Sequence, residues 1–116
     1  MEINPWYISG FVDGEGSFLV SFSKRPLLAL GIEVRPSFTV SQHERNKDVV
    51  YQLQCFFDSG SVRYNTRDHT YKFEVRSLSE LIEKIIPHFE AYPLRTSKQK
   101  DFESLCHVCN RMLEKE

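Results

Sequence analysis

The 116-residue chain predicts an α+β fold, with one antiparallel four-stranded sheet backed by helices in the order α-β-β-α-β-β-α-α, in a single domain over residues 1–116. Two observations lead there. Two pairs of segments alternate apolar and polar residues, the mark of half-buried strands. Each pair is followed by a stretch whose apolar residues recur at helical spacing. Such hairpin-and-helix units fit together with the helices on one face of the sheet and a polar surface on the other.

Asn4-Pro5 opens the first helix, because Asn4 can cap it and Pro5 suits the first helical position, where a missing N–H costs nothing. The first strand follows over 17–24, with Phe18, Val20 and Phe22 turned to the core and Leu19, Ser21 and Ser23 turned away. A loop over 25–31 leads to the second strand, where Val34, Pro36, Phe38 and Val40 alternate with Glu33, Arg35, Ser37, Thr39 and Ser41. A helix near 45–57 sets Val49, Val50, Leu53, Phe56 and Phe57 on one face and stops at Asp58-Ser59-Gly60. The second hairpin alternates Val62 and Tyr64 with Arg63 and Asn65, turns at 66–69, and returns with Tyr71, Phe73 and Val75 against Thr70, Lys72, Glu74 and Arg76.

Ser77-x-x-Glu80 reads as a capping box, in which hydroxyl and acid satisfy each other's backbone N–H. The helix it opens turns Leu78, Leu81, Ile82, Ile85 and Ile86 inward and is stopped by Pro87. Thr96-x-x-Gln99 opens the last helix, which carries Phe102, Leu105, Cys106, Cys109, Met112 and Leu113 along one stripe.

Fifteen aromatic residues supply bulky core material. No segment has the length and apolarity of a membrane span or a secretory signal, so the reading is of a soluble, intracellular protein without a membrane partner. Three cysteines cannot all pair within one chain and read as free thiols. Cys106 and Cys109 enclose His107, but a single C-x-x-C offers too few ligands for structural zinc, so the pair reads as core-facing. A net charge of −1 is not that of an ordinary phosphate-binding protein. Its distribution is uneven: residues 17–76 hold nine Lys or Arg against six Asp or Glu, and the excess positive charge falls on the hairpins.

The outward positions there are Ser21, Ser23, Arg25, Glu33, Arg35, Ser37, Thr39, Arg63, Asn65, Arg67, Thr70, Lys72, Glu74 and Arg76. They mix the donors and acceptors that base edges require: Arg and Lys address guanine, Asn adenine and Glu cytosine, while Ser and Thr adapt. An ordinary solvated sheet face would carry a similar mixture.

The first helix is unusual. Gly10 and Gly14 lie four residues apart on one face, and each costs roughly 0.5–1 kcal/mol against alanine in a helix interior. Close approach by a second helix explains both, since small residues let helix axes come near. The residue that leaves this helix is Glu15.

The nine-residue run Ile8-Ser9-Gly10-Phe11-Val12-Asp13-Gly14-Glu15-Gly16, with the strand after it, resembles the signature of the LAGLIDADG homing endonucleases. The resemblance implies a homing endonuclease-like fold with a DNA-binding sheet, and, for a chain with one motif, a homodimer whose interface takes in Trp6, Tyr7, Gly10, Phe11, Asp13 and Gly14. Catalysis would rest on Glu15, Gln42 and Lys98, with Lys100 competing for the place of Lys98. Glu15 and the Gly14 carbonyl would hold Mg²⁺, with Mn²⁺ or Ca²⁺ able to substitute for binding, because oxygen ligands suit hard cations. Two departures stand out: Glu15 replaces the shorter Asp of many relatives, and Asn46 stands where a basic residue is expected, leaving Arg45 or Lys47 to supply charge.

The implied activity is site-specific, divalent-metal-dependent cleavage of double-stranded DNA in intron homing, on a long near-palindromic target that matches two-fold symmetry. The alternatives are an intron RNA maturase, which needs no Glu15, and a catalytically inactive DNA-binding protein. An organelle or a bacterial cytoplasm would suit any of them.

Overall fold

The computed structural model describes residues 3–27 and 31–114; positions 28–30 of the predicted loop lie outside the described residues. In chain order the elements are α1 (Pro5–Glu15), β1 (Gly16–Lys24), β2 (Ile32–His43), a 3₁₀ turn (Glu44–Asn46), α2 (Lys47–Phe57), β3 (Ser61–Asn65) and β4 (Thr70–Val75). They are followed by α3 (Leu78–Glu80), a π-helical turn (Leu81–Ile85), α4 (Ile86–Ala91) and α5 (Lys98–Glu114). The predicted order therefore holds, and every strand pair is antiparallel. Across the sheet the order is β1-β2-β4-β3, so the two hairpins join through β2 and β4.

One cluster of buried side chains lies between the sheet and the helices, with Phe38, Phe73 and Phe89 at its centre and Leu53, Leu81, Ile85 and Leu105 around them. Phe18 stacks on Phe38 at a centroid distance of 5.0 Å and meets Phe89 edge-on at 5.3 Å. Cys109 is fully buried and Cys106 partly so; burial pushes both thiols up to about 11, and the C-x-x-C pair faces the core as expected.

Three local expectations are corrected. Phe22 sits on the helix side of β1 but is 68% exposed, as is Ile32 at 51%, because the β1–β2 ribbon runs past the helices that cover its other half. Leu113 ends the α5 stripe about half exposed. Pro87 does not stop its helix: α3, the π turn and α4 run on continuously to Ala91. A proline inside a helix removes an N–H and crowds the carbonyl four residues earlier, and the wider π turn just before it relieves both.

The capping boxes also differ. Ser77 Oγ accepts from the Glu80 N–H at 3.4 Å, but the Glu80 carboxylate accepts from the Gly60 N–H at 3.3 Å instead of reaching back to Ser77. Gly60 has φ +80°, and a Cβ there would meet Phe73 and the Glu74 carbonyl below 3 Å, so only glycine fits this close turn. Gln99 likewise accepts from the Leu94 N–H at 3.0 Å, leaving the Thr96 N–H for another partner.

Candidate functional site

Asn4 caps α1 by accepting from the Trp6 N–H at 2.8 Å, which fixes where the helix starts. Ile8, Ser9 and Val12 are buried on its inner side. Tyr7, Gly10, Phe11 and Gly14 share the opposite side: Tyr7 is 49% exposed and Trp6, flanking them, 52%, while a Cβ built on Gly10 or Gly14 meets nothing within 4 Å. Both glycines thus open onto unoccupied surface, and nothing among the described residues accounts for their cost.

Asp13 has a place inside the chain that the sequence reading did not give it. Its carboxylate accepts from the Arg95 N–H at 3.0 and 2.9 Å, from the Thr96 N–H at 3.0 Å and from the Thr96 hydroxyl at 2.9 Å. Burial opposes its charge, but those hydrogen bonds and the Lys98 ammonium outweigh burial and hold the carboxyl below the usual range.

Glu15 closes the helix and is exposed. Lys98 Nζ donates to the Val12 carbonyl oxygen at 3.4 Å, the same oxygen that accepts the Gly16 N–H at the end of α1. A cation there suits the negative end of the helix dipole, and Lys98 is thereby brought to the helix end that carries Glu15. Gly16 pairs with Val40, so β2 runs two residues beyond that point to Gln42. The Gln42 Nε2 donates to the Ser41 carbonyl at 2.9 Å and its Oε1 accepts from Asn46 at 3.3 Å. Asn46, the residue expected to be basic, thus steadies Gln42 instead of bringing charge.

The strand register puts the outward residues on one face. Ser21 lies opposite Arg35, Ser23 opposite Glu33, Thr39 opposite Glu74, Arg63 opposite Lys72 and Asn65 opposite Thr70. By the same alternation Ser37 lies on that face, Arg25 and Arg76 continue it beyond β1 and β4, and Arg67 stands in the turn between β3 and β4, where its N–H donates to Asn65 at 2.9 Å. Two members are less open than expected. Thr39 is 6% exposed, and the Ser23 hydroxyl oxygen is buried without a hydrogen-bond partner among the described residues. Five residues were not chosen from sequence: Ser17, Leu19, Ser41, His43 and Ser61 lie in register with the chosen ones, and Leu19 is half exposed among polar neighbours. The alternation already turned Leu19 and Ser41 outward, and continuing it to the strand ends would have added Ser17, His43 and Ser61.

A profile described as LAGLIDADG endonuclease matches residues 8–109, from the glycine helix through to the buried Cys109. The chain belongs to the LAGLIDADG endonuclease family. A probable intron-encoded endonuclease 2 of Neurospora crassa is 34% identical over 113 residues, which cover 97% of this chain and 25% of that protein. This LAGLIDADG chain therefore spans about a quarter of that relative's length. Among solved structures, the homing endonuclease I-TnaI superposes with a TM-score of 0.90 at 37% identity, over 98% of this chain and 76% of that one. I-SmaMI, solved with an uncleaved DNA target in the presence of calcium ions, superposes with a TM-score of 0.93 at 28% identity, over 97% of this chain and 38% of that one. Among the described residues no helix is long and apolar enough to cross a membrane.

Proposed function

We propose that this chain is a site-specific, divalent-metal-dependent endonuclease of double-stranded DNA, acting in intron homing as a homodimer on a long, nearly palindromic target. The observation that carries the reading is the outer side of α1, where Gly10 and Gly14 open onto unoccupied surface and the helix delivers an exposed carboxylate, Glu15. A second copy crossing at those glycines would bring two such carboxylates together.

One chain falls short of a metal site: among the described residues no group of three or more His, Cys, Asp and Glu is gathered to hold an ion. The donors present still suit a hard cation such as Mg²⁺, since the Glu15 carboxylate and the backbone carbonyls left unpaired at a helix end are all oxygens. When bound, the ion supplies Lewis acidity at the scissile phosphate and lowers the pKa of water. Glu15 and the Gly14 carbonyl hold it, and Ca²⁺ or Mn²⁺ can take its place for binding. Gln42, steadied by Asn46, orients solvent at the end of β2. Lys98, anchored on the end of α1, sets positive charge beside the phosphate. The outward sheet face lies along the groove.

The test is cleavage of a supercoiled plasmid carrying the candidate insertion sequence. It is linearised in Mg²⁺ and spared in EDTA, and the mass of the bound protein is that of two chains. Tight binding without cutting in either condition would leave a DNA-binding protein alone.

A further inference from the structure

The acidic residues of the outward sheet face are both held by bases. Glu33 lies between two arginines, with its Oε2 2.8 Å from the Arg25 Nε and its Oε1 2.8 Å from the Arg35 Nε. The arginine side chains are about half exposed. Ion pairs so open to water add little to stability, so the fold does not explain them. A carboxylate here also weakens attraction to a polyanion. What it provides is orientation. A guanidinium has five N–H donors in one rigid plane, and giving one at Nε leaves four on the terminal nitrogens, which suit the O6 and N7 of guanine.

We infer that Glu33 is a positioning residue for base readout: it holds Arg25 and Arg35 so that they address guanine, and does not itself accept from cytosine. The inference rests on the DNA-binding reading above. It also places the readout. Arg25 is ten residues after Glu15, roughly 30 Å along an extended strand, so the readout falls at the outer part of the target. Glu74 lies between Lys72 and Arg76 at the looser distances of 3.9 and 3.7 Å, so the arrangement recurs in the second hairpin.

The test takes the duplex that the wild-type protein selects from a randomised pool and binds it to wild type, Glu33→Gln and Glu33→Asp, with melting temperatures as a control on folding. Each outer guanine is replaced in turn by 7-deazaguanine, which lacks N7, and each outer cytosine by N4-methylcytosine. Wild type is expected to lose roughly fivefold to a hundredfold in affinity at one or two guanines. Glu33→Gln should keep less than about threefold of that discrimination, and Glu33→Asp should restore part of it. Undiminished guanine discrimination in Glu33→Gln overturns the inference and leaves the DNA reading standing. So does a wild-type sensitivity that falls on cytosine and vanishes in Glu33→Gln, which marks direct contact. A wild-type protein that selects no duplex removes the DNA reading and the inference together.

Discussion

Asp13 on α1 and Thr96 ahead of α5 are joined by two hydrogen bonds, from the Thr96 N–H at 3.0 Å and from its hydroxyl at 2.9 Å, across 83 residues of sequence. With the Arg95 N–H at 2.9 Å, this carboxylate ties the start of α5 to the end of α1, where Lys98 donates to the Val12 carbonyl. Asp13→Asn keeps the shape but turns one acceptor into a donor facing N–H groups. It is expected to cost about 1–3 kcal/mol of stability, read as a lower urea midpoint at unchanged slope, and to slow cleavage by displacing Lys98.

His88 gives the fold a defined acid sensitivity. Ser9 donates its one hydrogen to the Tyr92 carbonyl at 2.6 Å, so its oxygen accepts from the His88 Nε2 at 3.1 Å, which makes Nδ1 the unprotonated nitrogen. The ring packs among Phe56, Phe57, Phe89 and Tyr92, and burial there lowers its pKa from 6.5 to about 4. The unfolded chain therefore binds more protons than the folded one between those two values. Stability should be full above pH 6.5 and fall progressively towards pH 4, by about 2 kcal/mol for this partly covered ring. His88→Gln retains an N–H donor without titrating, and its unfolding midpoint should lose most of that slope; a slope equal to the wild type's would show that another group is responsible.

Much of this architecture was legible from spacing alone, because the period of two in β1 to β4 and the helical period in α2 and α5 are set by which face each residue buries. What escaped depends on partners distant in sequence. Glu80 leaves its own helix cap for Gly60, 20 residues away, and Thr96 leaves Gln99 for Asp13. Pro87 is accommodated by a π turn just before it, which the apolar spacing does not announce, because Ile85, Ile86 and Phe89 would share one face of a regular helix as well. For the site, alternation found the outward face, but not that Glu33 and Glu74 are already engaged on it by neighbouring bases. Glycine spacing marked α1 as a contact face, while the attachment of Lys98 to its end needed coordinates.

Glu15→Gln separates chemistry from recognition. The amide cannot replace a carboxylate facing a divalent ion, and losing several kcal/mol of transition-state stabilisation should slow cleavage on the order of a thousandfold or more. Affinity for the target in Ca²⁺-free buffer should change little, because the proposed reading puts the contacts that set it on the sheet. If affinity falls as far as rate, Glu15 acts on structure instead.

Gly10 and Gly14 make a prediction with opposite signs for the single chain and the assembly. Among the described residues, neither a Gly10→Ala nor a Gly14→Ala methyl meets a neighbouring atom within 4 Å. In an isolated chain each substitution therefore improves the helix by roughly 0.5–1 kcal/mol, and the melting temperature of dilute protein should rise. Where two helices cross at these positions, the same methyl holds the axes apart and separates the two Glu15 carboxylates. Sedimentation should then show fewer paired chains, and cleavage should fall, most of all for the bulkier Gly10→Leu. A more stable variant with unimpaired cleavage would mean that the glycine face has no partner in the active form. A fall in stability at every concentration would place its partner within the chain itself.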